Sequence, residues 1–279
     1  MASNYSPKHF LVTFPAEYVA HVEINRADKL NSFFEAMWLE LRDIFGQLSH
    51  DPNVRAVVLS GAGSRAFTAG LDVKAASKGL LGPKPDGDAA RNAALFRRHI
   101  ASFQDCITAV EKCEKPVIAA MHGINFGLGI DLSAATDIRY CAADTKFSVK
   151  EVDIGLAADI GTLSRLPKAV GSYSWVKEVC LTARVFGAQE AKEVGYVSAV
   201  FDNKEVMIEK ALGTAKLIAS KSPVAVQGTK ELLNWSIDHS VQDGLRYTGV
   251  WNSAALQTDD ISNALLSGLE KRTPTFEKL

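Results

Sequence analysis

Val117-Ile118-Ala119-Ala120-Met121 leads into Asn125-Phe126-Gly127-Leu128-Gly129-Ile130-Asp131. The first stretch reads as a buried strand and the second as a glycine-bearing turn that opens a helix. The same unit occurs earlier. Val54-Arg55-Ala56-Val57-Val58-Leu59-Ser60 is a buried strand by its β-branched content, and Phe67-Thr68-Ala69-Gly70-Leu71-Asp72 is the matching turn. A strand-turn-helix unit used twice implies an α/β core.

Outward from these units, Phe10–Phe14 and Val19–Asn25 read as short strands. Asn31 is expected to cap a helix through about Ser49, with Phe34, Trp38, Leu41 and Phe45 on one stripe. Gly79–Asp88, rich in Gly and Pro, reads as a mobile surface loop, and Ala90–Cys113 as a long helix. Val206–Ser220, Ser222–Asn234 and Ser240–Trp251 read as helices, with no strand expected after Val200. The expected organisation is an α/β core over 1–202 and a helical region over 203–279.

Composition narrows the function. The 279 residues are 47% hydrophobic and 23% charged, as in a soluble globular protein. A net charge of -1 gives no electrostatic footprint for nucleic acid or an anionic membrane. Cys106, Cys113, Cys141 and Cys180 form no CxxC pair, so they read as reduced, mostly buried thiols, not metal ligands. No apolar run reaches the length of a membrane span, and the N-terminus carries neither a signal-peptide core nor an Arg-rich transit pattern.

The two turns suggest chemistry. The first N–H groups of a helix lack internal partners and sit at the positive end of its dipole. Two such turns converging would hold one developing oxyanion. Downstream lie carboxylates. Glu151 follows Asp131 by twenty residues and Asp159 comes eight further on, both in mostly apolar surroundings. Burial raises a carboxyl pKa towards neutrality, which suits proton transfer. Asp131 also fits a routine acid in a first helical turn, so a catalytic or site-ordering role is weighed against that one.

Four stretches, Ile24–Ser32, Ala66–Asp72, Lys115–Gly123 and Gly187–Val197, resemble the enoyl-CoA hydratase/isomerase (crotonase) superfamily, and the likeness extends over nearly the whole chain. The resemblance implies a spiral of ββα units, a C-terminal helical region for trimerisation, and an acyl-CoA thioester as ligand. It makes the N–H groups of Leu71 and Leu128 the oxyanion-hole donors, although the family usually has glycine at the second position. It places substrate along Ala66, Ala69, Gly70, Leu71, Asp72, Val73, Leu128 and Gly129. Lys74 or Lys230 is a candidate for the CoA phosphates, with a surface role the commoner fate of a lysine.

Within the superfamily, hydratases share Glu151 but carry Glu in place of Asp131 and Gly in place of Asp159. The combination Asp131, Glu151, Asp159 resembles the Δ3,5-Δ2,4-dienoyl-CoA isomerases, as does Gly161-Thr162-Leu163-Ser164-Arg165-Leu166-Pro167. That implies proton removal at C2 by Glu151 and delivery at C6 by Asp159, through a dienolate. The expected ligand is the acyl-CoA, with no metal and no cofactor beyond the CoA of the substrate itself. A homotrimer or dimer of trimers is expected. The alternatives are an enoyl-CoA hydratase and a noncatalytic acyl-CoA- or RNA-binding scaffold; a scaffold has no need of both Glu151 and Asp159. The terminal Lys278-Leu279 matches the last two residues of a peroxisomal signal, with a cytoplasmic or mitochondrial-matrix location otherwise.

Overall fold

A computed structural model describes residues 5–77 and 87–279. The expected Gly79–Asp88 loop therefore falls almost wholly outside the described residues. The strands are β1 (Phe10–Ala16), β2 (Val19–Ile24), β3 (Ala56–Gly61), β4 (Ala66–Thr68), β5 (Val117–Met121), β6 (Ile124–Phe126), β7 (Ile138–Ala142), β8 (Lys146–Ser148), β9 (Phe186–Gly187) and β10 (Ala199–Phe201). The helices are α1 (Glu35–His50), α2 (Val73–Ala76), α3 (Ala89–Glu111), α4 (Leu128–Ala134), α5 (Thr162–Ala169), α6 (Tyr173–Thr182), α7 (Ala188–Glu193), α8 (Lys204–Ala219), α9 (Pro223–Ser236), α10 (Val241–Ala255) and α11 (Asp259–Leu269).

A six-stranded sheet has the order β1-β2-β3-β5-β7-β10, and a four-stranded sheet the order β4-β6-β8-β9. From β2 onward the larger sheet is parallel, as is β4-β6-β8 in the smaller. Each turn of the chain places one strand in each sheet and then a helix: β3, β4, α2; then β5, β6, α4; then β7, β8 and a 3₁₀ turn at Glu151–Ile154. This is a spiral of ββα units.

The continuous apolar runs follow from burial on both faces. Val57, Leu59, Val117, Ala119 and Met121 point into one core, packed with α1 and α3. Ala56, Val58, Ile118 and Ala120 point into a second, under α8. Helix α8 presents Met207, Ala211, Ala215 and Ala219 at four-residue spacing, so one stripe of mostly small side chains lies on the sheet. The region from 203 onward thus begins as part of the core layer. Helix α11 has no counterpart among the helices expected from the sequence. No helix of the described residues is long and apolar enough to cross a membrane.

Asn31 does not cap α1. The helix starts at Glu35, and its N-cap position is Phe34. Asn31 lies in the left-handed region at φ 55° and is fully buried. Its Nδ2 donates to the carbonyls of Ala62 and Ala66, both at 2.9 Å, and its Oδ1 accepts from Arg26 N. Its own carbonyl accepts from Thr68 Oγ1. Asparagine tolerates this conformation better than most side chains, and its short amide ties three segments to the first glycine turn.

Asn31→Ala leaves the buried carbonyl of Ala66 and two part-buried groups, Ala62 O and Arg26 N, without this partner. A buried orphaned group costs about 1–3 kcal/mol, so the variant should lose about 2–3 kcal/mol. Urea unfolding measures this; a loss below about 1 kcal/mol would mean that the turn is held by other contacts.

Candidate active site

The ends of β4, β6 and β8 deliver the candidate groups. Strand β4 runs into Gly70-Leu71, β6 into Gly127-Leu128, and β8 towards Glu151. The first turn is pinned by Phe33 N to Gly70 O and by Asp72 N to Phe33 O, each 2.8 Å. The second is pinned by Gly127 N to Ser148 O at 2.9 Å. The N–H groups of Leu71 and Leu128 have no acceptor among the described residues. They remain available to an external oxygen.

Glycine is required in both turns. Gly70 has φ 89°, and a Cβ there would stand 2.7 Å from Phe126 O and 3.5 Å from Leu128 N. The same contact shows how closely the two turns approach. Gly127 has φ 53°, and a Cβ there would stand 3.2 Å from Glu151 Oε1. The carboxyl of Glu151 therefore lies against the residue preceding the second donor. Leu128 is 4% exposed with its side chain in the core, so a non-glycine residue leaves its N–H free. Leu71 packs against the same core.

The sequence-derived substrate residues line this strand end. Ala66 is buried in β4, and Ala69 N donates to Leu30 O. Asp72 caps α2 through Ala75 N and pairs with Arg26 at 2.8 Å. These bonds hold its carboxyl below the usual range: the Ala75 backbone bond contributes most, then the Arg26 side chain. Val73 is exposed at the start of α2, and Gly129 is buried on α4.

Asp131 behaves otherwise. It is 0% exposed. Its Oδ1 accepts from Thr162 N at 2.5 Å and Thr162 Oγ1 at 2.7 Å, while Oδ2 has no partner. A solvated first-turn acid would not be enclosed in this way. Burial pushes its pKa up to about 6 against the pull of the Thr162 bonds. Glu151 is half-buried with an unpartnered, buried Oε2, and burial followed by repulsion from Asp131 pushes it up to about 7. Burial also raises Asp159, opposed in part by its own backbone N–H and then by His99 on α3. Gln104 Nε2 holds the Asp159 carbonyl at 2.6 Å. The charges of Asp131 and, more weakly, Asp159 help to raise Glu151, and that of Asp159 helps to raise Asp131, so the three lie within electrostatic reach. Close like charges favour a common store of fewer negative charges than groups.

Lys230 lies elsewhere. It is 8% exposed and pairs with Asp137 at 2.8 Å, which removes it from the phosphate candidates. Lys74 is exposed on α2. His122 is buried with Nε2 on Gly63 O, and burial pushes it down to about 4, so it is a packed neutral imidazole. Thr162, Arg26, Gln104 and His99 were not anticipated. Only Thr162 carried a signal, a hydroxyl directly after a glycine at a helix start. A groove of about 1590 Å³ has Asp159 in its lining but does not include Glu151 or either donor turn. A smaller cavity of about 330 Å³ is lined by Ala27–Asp28, Leu30–Asn31 and Ala62–Ala66.

Residues 16–278 match the family model described as enoyl-CoA hydratase/isomerase. A human protein named Delta(3,5)-Delta(2,4)-dienoyl-CoA isomerase, mitochondrial, is 47% identical over all of this chain and 85% of its own length. An Arabidopsis thaliana protein named as the peroxisomal form of that isomerase is 44% identical over 94% of this chain and 93% of its own. The crystal structure of an enoyl-CoA hydratase from Bacillus anthracis superposes with a TM-score of 0.86 at 31% identity, covering 97% of this chain and 99% of that one.

The electrostatics of Asp131 set a pH dependence of stability. Its folded pKa of about 6 lies above the ordinary aspartate value of 3.8. The group's contribution is therefore full below the lower value and lost as pH rises through the upper one. An amide stays neutral and can still accept both Thr162 bonds. Asp131→Asn should gain stability relative to wild type between about pH 4 and pH 8, by on the order of 2 kcal/mol. Urea midpoints at the two pH values test this, and a gap that does not widen contradicts it.

Proposed function

The chain belongs to the enoyl-CoA hydratase/isomerase family, and we propose that it isomerises 3,5-dienoyl-CoA to 2,4-dienoyl-CoA in fatty-acid β-oxidation. The observation that carries this reading is the Glu151 carboxyl set against the second donor turn, with the buried Asp131 on the helix that this turn opens and Asp159 within electrostatic reach, beside the unpartnered N–H groups of Leu71 and Leu128. The thioester oxygen accepts from both donors. Glu151, ionised, removes a proton at C2, and negative charge spreads over the dienolate onto that oxygen. Asp159, protonated, delivers a proton at C6. Each oxyanion donor is worth on the order of 3 kcal/mol. One proton leaves and one arrives with no net change in oxidation state, so the reaction needs no cofactor beyond the CoA of its substrate. A hydratase would have no use for an acid at position 159.

The acyl-CoA runs along Ala66, Ala69, Gly70, Leu71, Asp72 and Val73 towards Leu128 and Gly129. The cavity beside Ala66 suits the nucleotide end of CoA, and Arg65 in its lining offers a cation to phosphate. We place the enzyme in one of the two organelles in its relatives' names, mitochondrion or peroxisome.

For assembly we propose a homotrimer or a dimer of trimers. The C-terminal helices leave large apolar side chains exposed, among them Leu233, Val241, Leu245, Leu265 and Leu269. Exposed apolar surface of this kind commonly marks an interaction site when it is contiguous. Light scattering should give a trimer or hexamer mass at micromolar concentration; a stable monomer contradicts the proposal.

The two carboxylates are separable by isotope. Near-UV absorbance of the conjugated product follows the reaction. Glu151→Gln should abolish C2 exchange with deuterated solvent and isomerisation together, with a rate loss of about 10²–10⁴. Asp159→Gly should lose isomerisation by at least about two orders of magnitude yet continue C2 exchange, with deuterium incorporation at C6 stopped. Persistent C6 incorporation at the wild-type rate would remove Asp159 from the acid role.

A further inference from the structure

A dienolate offers more than one carbon to an incoming proton. Removal of a proton at C2 leaves negative charge shared by the thioester oxygen and by C2, C4 and C6. Protonation at C6 gives the 2,4-diene. Protonation at C4 gives the 2,5-diene, whose two double bonds are not conjugated with each other, and protonation at C2 returns the substrate. The outcome depends on where the acid stands. We propose that one face of α3, carrying Gln104, Thr108 and Glu111, positions Asp159 for delivery at C6 and so sets this choice. The inference rests on the isomerase reading above.

Gln104, Thr108 and Glu111 follow the i, i+4, i+7 spacing of one helix face. All three bond to the segment that carries Asp159. Gln104 Nε2 donates to the Asp159 carbonyl at 2.6 Å. Arg165 donates to both carboxylate oxygens of Glu111, from Nε at 3.1 Å and from Nη2 at 2.7 Å, and Nη2 also donates to Thr108 Oγ1 at 3.0 Å. A two-point bond between guanidinium and carboxylate fixes orientation as well as distance. Between these anchors Gly161 has φ 149°, and a Cβ there would collide with Arg165 Nη1. The guanidinium thus folds back over the turn that follows Asp159. On the other side Thr162 N and Oγ1 donate to Asp131 Oδ1. The segment is held from α3 and from α4, and none of these bonds occupies the Asp159 carboxyl.

Packing alone does not call for this arrangement. Phe103, Cys106, Ile107 and Val110 already dock α3 on the core. Gln104 is exposed and adds nothing to that core. Its bond constrains the backbone of the acid itself. Glu151 and the two donor turns are held by other contacts, at the ends of β8, β4 and β6. Loosening the α3 anchors therefore displaces the acid and leaves the C2 chemistry in place.

Two variants test the proposal from opposite anchors. Gln104→Met keeps the side-chain length and removes the donor at an exposed position, and Glu111→Gln breaks the charge pair with Arg165. Each is incubated with 3,5-dienoyl-CoA in deuterated water, and NMR locates the label at early times. Wild type should deliver deuterium mainly at C6. In each variant the label at C6, relative to that at C2 and C4 together, should fall by at least about tenfold, the scale of a small displacement of a reacting group. Label at C2 should accumulate at a rate within about threefold of wild type. The distribution among carbons does not depend on how much enzyme is folded, so a merely structural role would not move it. An unchanged distribution in both variants would overturn the proposal, whatever the overall rate. A wild type that labels C2 but forms no 2,4-dienoyl-CoA would instead overturn the isomerase reading itself, and the positioning role with it.

Discussion

The parallel pairing of β4, β6 and β8 is the constraint on which the rest of the site depends. These strands are three residues each, too short to be stable alone. They hold register because each follows a longer strand of the parallel six-stranded sheet, buried on both faces. Ala66 pairs with Ile124 and Phe126 with Ser148, and the next backbone bond, Gly127 N to Ser148 O, seats the second donor turn. A one-residue slip would reverse the facing of every side chain beyond it. The donors would then separate, and Glu151 would leave Gly127.

The same residue type behaves in opposite ways a short distance apart. Asp72 is capped by backbone N–H and paired with Arg26, so its charge is welcome and its pKa falls. Asp131 receives only the Thr162 bonds, and burial outweighs them. One aspartate is thus a fixed charge that orders the donor loop, while burial raises the other towards neutrality. Burial produces that second behaviour at a cost in stability, since an ionised carboxylate inside a pocket is poorly solvated.

What could be read in the sequence follows the same physics. Val54–Ser60 and Val117–Met121 were legible because a strand covered on both faces must be continuously apolar. The strands β4, β6 and β8 had no readable period, being shorter than one alternation pattern needs. Asn31 misled because its amide serves a helix cap and a left-handed turn equally well, and only the carbonyls of Ala62 and Ala66 decide between them. Helix α11 buries only Asp260 and Ser267 and leaves Ile261, Leu265, Leu266 and Leu269 exposed, so no core contact in this chain accounts for its apolar side chains. The carboxylates were placed by resemblance, and their environments could not be known until Thr162, Gln104 and His99 were seen around them.

The two halves of the site differ in what mutation can do to them. One half presents backbone, the unpartnered N–H groups of Leu71 and Leu128. Leu128 shows that the side chain there is free to vary, since it turns into the core while its N–H stays exposed to ligand. Its proton-handling half is side chains on α4 and on the segment from Glu151 to Thr162, and α3 fixes that segment through Gln104 and through the Arg165–Glu111 pair. On the proposed reading, stabilising an enolate-like oxygen is a property of the fold, built into strand register and glycine turns. Which carbon gains or loses a proton is a property of a few carboxyls that can change without disturbing that register. A shared scaffold that accommodates several reactions is the expected result of this division.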